Sequence, residues 1–311
     1  KKPDEVLLGE DLEKMDEAEQ IMAVEKYSVF ARISPQQKYK IIELLQKKFE
    51  VGFLGEGIND APALKLANVA LVVDGASDIA REAADIVLLN SSLSVIIAGI
   101  RGGREVFANT VKYLKITLIS NFGNFYAIAI ASLIITFLPM LPVQILLLNL
   151  LSDFPMIAIA LDTVDKMELR RPRSYNVREV VLMAIILGLV STVFDFIFFA
   201  LFYKHEPVVL QTNWFIGSVL TELALIYSVR THFFFLRAKA PSKVLAGLSI
   251  FAVGATILLP FTSLGVKIFK FSTPTSAHLL TIFTVVACYF VLTEVIKLIY
   301  YRYLNNYAMH G

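Results

Sequence analysis

Cysteine is almost absent from this sequence, and acidic charge is scarce over most of its length. The one cysteine among 311 residues, Cys288, sits inside an apolar run, so no disulfide can form within the chain. That usage fits a reducing compartment for the water-facing part. Of the 27 acidic residues, 18 lie in residues 1–112 and only 9 in the remaining 199. The opening stretch, Lys1 to Gln20, is acidic and polar and holds no apolar run of the signal-peptide type. Internal repeats and low-complexity tracts are lacking as well. The formal net charge is only +2, so charge names no partner, and none made of nucleic acid is expected.

What the chain does have is apolar residues. They make up 56% of it, with a mean hydropathy of +0.65 that exceeds that of an ordinary soluble protein. The uneven acidic charge divides it into a water-facing part, residues 1–112, and a lipid-facing part, residues 113–311. A helix needs about 20 apolar residues to cross a hydrocarbon core about 30 Å thick. Six runs qualify: about 116–138, 143–161, 180–203, 214–229, 244–264 and 278–301. Pro139-Met140-Leu141-Pro142 separates the first two as a tight hairpin. With the N-terminal part cytosolic, inner loops and helix ends carry twelve basic residues, among them Lys115, Arg171, Arg173, Arg230 and Lys297. The outer loops then carry three, Lys204, Lys267 and Lys270. That bias favours both termini in the cytosol.

Polar groups inside lipid-spanning runs are unfavourable unless paired or functional. Asn121 and Asn124 share a helix face in the first run; Asn149 and Asp153 share one in the second. Pro155 follows at once, and a proline there frees a carbonyl one turn back, beside Asp153. Freed carbonyls beside a carboxylate are a way to build a cation site in a membrane. Asp195 and Glu294 read as interhelical hydrogen-bond partners. Glu222 is open to either reading.

In the water-facing part, short apolar strands (27–33, 51–54, 69–73, 86–89) alternate with helices (35–48, 61–67, 77–84). This pattern implies a parallel α/β sheet, whose ligands bind beyond the carboxyl ends of the strands. Gly55-Glu56-Gly57-Ile58-Asn59-Asp60 lies at such an end. Two carboxylates, an amide and two glycines suit a magnesium ion held against a phosphate; a plain acidic turn is the other reading. Lys38, on the preceding helix, is either a partner for phosphate oxygens or a solvated lysine.

Several motifs in order narrow these choices. Ala31-Arg32-Ile33-Ser34-Pro35-Gln36-Gln37-Lys38, the stretch from Gly55 to Leu64, and Ala83-Ala84-Asp85-Ile86-Val87-Leu88 resemble the phosphorylation domain of P-type cation-transporting ATPases. Gly103-Arg104, Ser120-Asn121-Phe122-Gly123-Asn124, Leu138–Pro142, Asn149–Asp153, Asp162-Thr163-Val164-Asp165 and Arg171-Pro172-Arg173 continue the resemblance. The later stretches look most like the magnesium-transporting branch.

The resemblance implies a HAD-like phosphorylation domain followed by six helices of an all-α transmembrane bundle, in the plasma membrane. It implies an ATP-driven pump with an aspartyl-phosphate intermediate. Lys38 would contact the phosphoryl group, Glu56 and Asp60 would hold catalytic Mg2+, Asn59 would shape the pocket, and Gly55 and Gly57 would admit the backbone. The transported ion, Mg2+ by preference, would meet Asn121, Asn124, Asn149, Asp153 and Glu222. Calcium or protons are alternative cargoes, and a non-catalytic subunit of a split pump is the alternative of another class. The resemblance also implies that the Asp-Lys-Thr-Gly motif, the nucleotide and actuator domains and the earlier helices belong to a missing N-terminal part, without which no ATP hydrolysis is expected. Where the family's hinge loop reads Gly-Asp-Gly, this chain has Glu56, whose longer arm is expected to weaken an octahedral metal site. The helix from about 92 to 118 would carry motion into the first span, with Gly99, Gly102 and Gly103 as its softest points.

Overall fold

The computed structural model describes residues 5–90, 92–170, 172 and 175–308, with side chains to residue 303. Arg171 and Arg173, counted among the inner-loop cations and in the Arg-Pro-Arg stretch, lie outside the described residues. The chain divides into two compact units, residues 1–100 and 101–311.

The first unit runs β1 (Val6–Leu8), α1 (Gly9–Lys14), α2 (Glu17–Lys26), β2 (Val29–Ala31), α3 (Pro35–Gln46), β3 (Gly52–Gly55), α4 (Ala61–Leu66), β4 (Val69–Val73), α5 (Asp78–Ala83) and β5 (Ile86–Leu88). All strand pairs are parallel, as the alternation implied, but they form two sheets. β1 pairs with β2, setting Val6 opposite Val29; β3-β4-β5 form the other, with Leu54 opposite Leu71 and Leu71 opposite Ile86. β1, α1 and α2 lay hidden in the acidic opening. Their buried apolar side chains are few (Leu7, Leu12, Ala23, Val24), so their pattern was weak.

Local chemistry sets the helix starts. Ser34 accepts from the Gln37 amide while the Gln37 side chain accepts from the Ser34 amide, a reciprocal cap at 3.2 and 2.8 Å, and Pro35 fills the first helical position. Asp16 and Glu19 cap α2 in the same way. Each sheet has its own small core: Leu7, Leu12, Val24 and Leu44 for one; Leu64, Ala70, Val72 and Ala80 for the other.

The second unit is helical. α6 spans Leu93–Ile134, and its first eight residues fall in the first unit. It is followed by α7 (Pro142–Ile157), α8 (Val177–Phe202), α9 (Pro207–Val229), α10 (Lys243–Leu258), α11 (Ser263–Lys267) and α12 (Ser276–Ala308). Among the described residues six helices are long and apolar enough to cross a membrane, the number the sequence implied. The boundaries differ in instructive ways. α6 is one helix through Gly99, Gly102 and Gly103 and ends before Leu138. α7 runs on through Pro155 and tightens into a 3-10 turn only at Ala158–Leu161, so the proline removes a hydrogen bond without breaking the helix. α9 begins at Pro207, because the polar turn Gln211-Thr212-Asn213 that shortened the apolar run is buried.

α9 is the bundle's centre and is buried nearly all round, as a helix enclosed by others must be. Two glycines allow close helix approach. A Cβ on Gly217 of α9 would lie 2.4 Å from the Phe198 ring of α8, and one on Gly123 of α6 would lie 2.8 Å from Ser191 Cβ of α8. Buried polar side chains tie helices to loops. Gln211 Nε2 donates to the Leu138 carbonyl at 2.7 Å, and Gln144 Nε2 donates to the Phe269 carbonyl at 2.9 Å. As the sequence reading supposed, Asp195 is an interhelical partner: Trp214 Nε1 donates to it at 2.8 Å. Glu294 instead pairs along its own helix with Lys297 at 2.6 Å, and its other oxygen accepts from the Phe235 amide.

Candidate functional site

Two places gather the residues that the sequence singled out, one in each unit. The first lies where β3 ends. Gly55 must be glycine here, because a Cβ would sit 2.8 Å from Asp60 Cβ. The chain turns back through a 3-10 turn, Ile58–Asp60, which buries the Asp60 carboxylate. Asp60 Oδ2 accepts from the backbone amides of Glu56 and Gly57, both at 3.2 Å. Asp60 Oδ1 accepts from Lys38 Nζ at 2.6 Å. Partial burial pushes the Asp60 carboxyl up, but the Lys38 ammonium and the two amides together outweigh it and hold it below the usual carboxylate range.

Lys38, Gly55, Gly57 and Asp60 therefore converge. Glu56 joins through its backbone: its amide meets Asp60 and its carbonyl accepts from the Ser77 amide at 3.0 Å. The Glu56 and Asn59 side chains are exposed. The donor set is all hard oxygen, with one preset carboxylate and a second free to approach. That fits Mg2+, which takes one or two carboxylates, keeps several waters and shares substrate phosphates. Among the described residues no three His, Cys, Asp or Glu side chains converge into a complete metal cage. A site completed by phosphate and water needs none.

The second place lies within the bundle. Asn124 Nδ2 of α6 donates to Glu222 Oε1 of α9 at 2.6 Å. Ser120 and Ser152 hydroxyls face the same carboxyl group. Asn121, Asn124 and Asn149 line one cavity of about 220 Å3, together with Met140, Trp214 and Ser218. Asp153 does not line it. Its side chain is exposed, although it stays within electrostatic reach of Glu222. Four of the five candidate cation residues are thus brought together, and Asp153 stands apart.

Sequence reasoning missed a polar clamp at the other end of α7. Asp162 follows that helix and is fully buried with Arg230, which follows α9. Arg230 Nε and Nη2 donate to the two Asp162 oxygens at 2.9 and 3.1 Å, and Ser242 N adds a third bond at 3.0 Å. Asn109 Nδ2 of α6 donates to the Asp162 carbonyl at 2.8 Å, and Lys112 Nζ donates to the Thr163 carbonyl at 3.1 Å. Asp165 accepts from Thr231 and from the Lys239 amide. The signal available was Asp162-Thr163-Val164-Asp165 itself, but its partners lie about 50 to 80 positions away. Lys115 and Lys297, counted as helix-end cations, are buried ion-pair members as well.

Comparisons with known proteins identify the family. The profile of the family "Cation transporting ATPase, C-terminus" matches residues 137–299, more than half the chain. The chain belongs to the cation-transporting ATPase family. Over 306 residues, 96% of this chain, it is 36% identical to the magnesium-transporting ATPase, P-type 1, of Escherichia coli, of which it covers 34%. Over 275 residues, 85% of this chain, it is 40% identical to a protein of the same name from Salmonella typhimurium, of which it covers 30%. A calcium-transporting ATPase of Bacillus subtilis is 31% identical over 74% of this chain, which covers 27% of it. The chain thus spans about a third of the length of these relatives and corresponds to the C-terminal part of a P-type cation-transporting ATPase, most like the magnesium-transporting branch. Family membership and the six apolar helices make this an integral membrane protein.

Proposed function

We propose that these residues form the C-terminal portion of an ATP-driven pump that carries Mg2+ across the plasma membrane through an aspartyl-phosphate intermediate. Residues 1–112 would be the C-terminal part of a HAD-like phosphorylation domain with its stalk. Residues 113–311 would be the last six transmembrane helices, with both termini cytosolic. The observation that carries this reading is the 2.6 Å contact of Asn124 with Glu222 beside a cavity lined by Asn121 and Asn149. Amide oxygens and one carboxylate suit a hard cation that keeps part of its water.

In the phosphorylation step, the γ-phosphoryl of ATP would pass to the aspartate of an Asp-Lys-Thr-Gly motif in the rest of the pump, and ADP would leave. Lys38 would hold the phosphoryl oxygens, exchanging its bond to Asp60 for them. Asp60, kept ionised by two backbone amides, and Glu56 would be the protein's ligands to catalytic Mg2+. That ion neutralises charge developing on the transferred group. Asn59, exposed at the same turn, would shape the pocket. Transport follows if phosphorylation changes the affinity of the membrane site for its cargo. By themselves these 311 residues are expected to hydrolyse no ATP.

Calcium is the second reading, favoured by the carboxylate of Glu222 and by the similarity to a calcium-transporting ATPase. Ion uptake by the whole pump in sealed vesicles, with Mg2+, Ca2+ and pH varied separately, decides between them. Mg2+ uptake with an apparent affinity at least tenfold weaker in Glu222→Gln is expected. Calcium-stimulated ATPase activity abolished by Glu222→Gln would replace magnesium as the cargo.

A further inference from the structure

At the end of the bundle where the α6–α7 turn lies, two histidines meet. His205 closes the turn after α8, its amide bonded to the Phe202 carbonyl at 3.1 Å. His278 sits in the first turn of α12, its amide bonded to Thr275 Oγ1 at 3.2 Å. Their ring centroids are 5.3 Å apart at an interplanar angle of 72°. Asn213 of α9 places its amide Nδ2 3.3 Å from His278 Nδ1. Asn213 is 1% exposed, and its Oδ1 has no hydrogen-bond partner.

We propose that His205, His278 and Asn213 form a binding site for a transition-metal ion of the zinc class, distinct from the transported cation. Two lengths support it. Zinc ligands stand about 2.0–2.1 Å from the metal at tetrahedral angles, so neighbouring donor atoms lie about 3.3–3.4 Å apart. The contact between the Asn213 amide and His278 matches that edge. As placed, the amide nitrogen makes a hydrogen bond to His278 Nδ1; a half-turn of the isosteric amide would present the orphaned oxygen there instead, as a metal ligand beside the imidazole nitrogen. Two imidazoles on one tetrahedral ion would put their ring centroids about 5.2 Å apart, close to the spacing found.

The ligand chemistry sets the class. Imidazole nitrogens suit zinc, nickel, cobalt and copper, and are poor ligands for magnesium and calcium. The third ligand is an amide oxygen, consistent with no trio of His, Cys, Asp or Glu among the described residues. Water takes the fourth position. Phe202 walls one side, its ring centroid 5.4 Å from that of His278. A bound ion ties together the end of α8, the first turns of α9 and the start of α12.

The experiment uses the intact pump, stripped of metal in detergent with Mg2+ held constant, and two probes. Zn2+ is titrated by calorimetry, and Co2+ by visible absorption, which reports tetrahedral ligation. Wild type is expected to bind one Zn2+ that His205→Ala and His278→Ala each weaken at least tenfold, with the tetrahedral Co2+ bands lost. His205 is exposed, so its variant tests the site without disturbing the core; His278→Gln serves if His278→Ala melts early. Wild-type zinc affinity and Co2+ bands in a folded His205→Ala protein would overturn the proposal, as would wild type without saturable Zn2+ binding.

Discussion

Removing Asp162 is expected to destabilise the helical unit more than any surface change, and the size follows from its partners. Its side chain is fully buried and accepts from Arg230 Nε, Arg230 Nη2 and Ser242 N. Asp162→Ala leaves a buried guanidinium uncompensated, which costs about 3–5 kcal/mol. Losing the Ser242 bond adds about 1 kcal/mol. The sum, about 4–6 kcal/mol, corresponds to a melting point lower by roughly 8–24 °C for a unit of this size. The paired change Asp162→Leu with Arg230→Met removes both charges. It leaves Ser242 N, the Lys239 carbonyl and Thr163 short of one partner each, so the loss falls to about 1–3 kcal/mol. Thermal melting of the purified protein in one detergent, single and double variants side by side, reads the difference. A double variant no more stable than Asp162→Ala would refute the reasoning, because the penalty would then not lie in the unpaired charge. So would a single variant that melts within about 2 °C of wild type.

Three further outcomes are expected. Gly217→Ala puts a methyl group into the Phe198 ring and is expected to destabilise the bundle by about 1–3 kcal/mol in the same melting assay, whereas Gly254→Ala, with open space around it, is not. Asp60 lies below the usual carboxylate range when folded, so its contribution to stability is present above about pH 4 and is lost as the pH falls through the folded value. Hydrogen exchange at the Glu56 and Gly57 amides is therefore expected to stay slow from pH 7 to 5 and to lose protection below about pH 4, at a higher pH in Lys38→Met. Glu56→Asp, which shortens the arm of a proposed magnesium ligand, is expected to raise the phosphorylation rate of the intact pump two- to tenfold, up to about 1.4 kcal/mol of barrier; unchanged turnover and metal dependence would show that the longer arm is tolerated.

Six membrane helices were legible because each depends on composition over some 20 consecutive residues, and lipid permits no other open structure for such runs. The Gly55–Asp60 turn was legible because its chemistry is local: Gly55 is required by Asp60 five residues on, and the two amides that hold Asp60 belong to the same loop. Lys38 and Asn124 were readable as candidates from their positions and from resemblance to a family, without their partners. Pairing is where sequence alone stopped. Asn124 meets Glu222 across 98 positions, Asp162 meets Arg230 across 68, and Lys115 meets Tyr301 across 186. Such distances carry no periodic signal, since they are set by which helix faces pack together. The same limit made Arg230 look like a loop charge and Lys115 and Lys297 like helix-end charges, when packing had buried each beside a carboxylate.

By itself, then, the sequence determined the local things: which runs cross a membrane, where a helix begins at Pro35, and which loop presents carboxylates beyond a strand. Only the tertiary structure decided which polar groups inside those runs share a cavity, that Asp153 stands outside it, that the strands form two sheets, and that His205 and His278 converge with Asn213. The physical reason is range. Backbone hydrogen bonding and hydropathy act within a few residues or one helix, whereas an ionised or hydrogen-bonding group in a low-dielectric interior must find its partner wherever the fold brings one within about 3 Å.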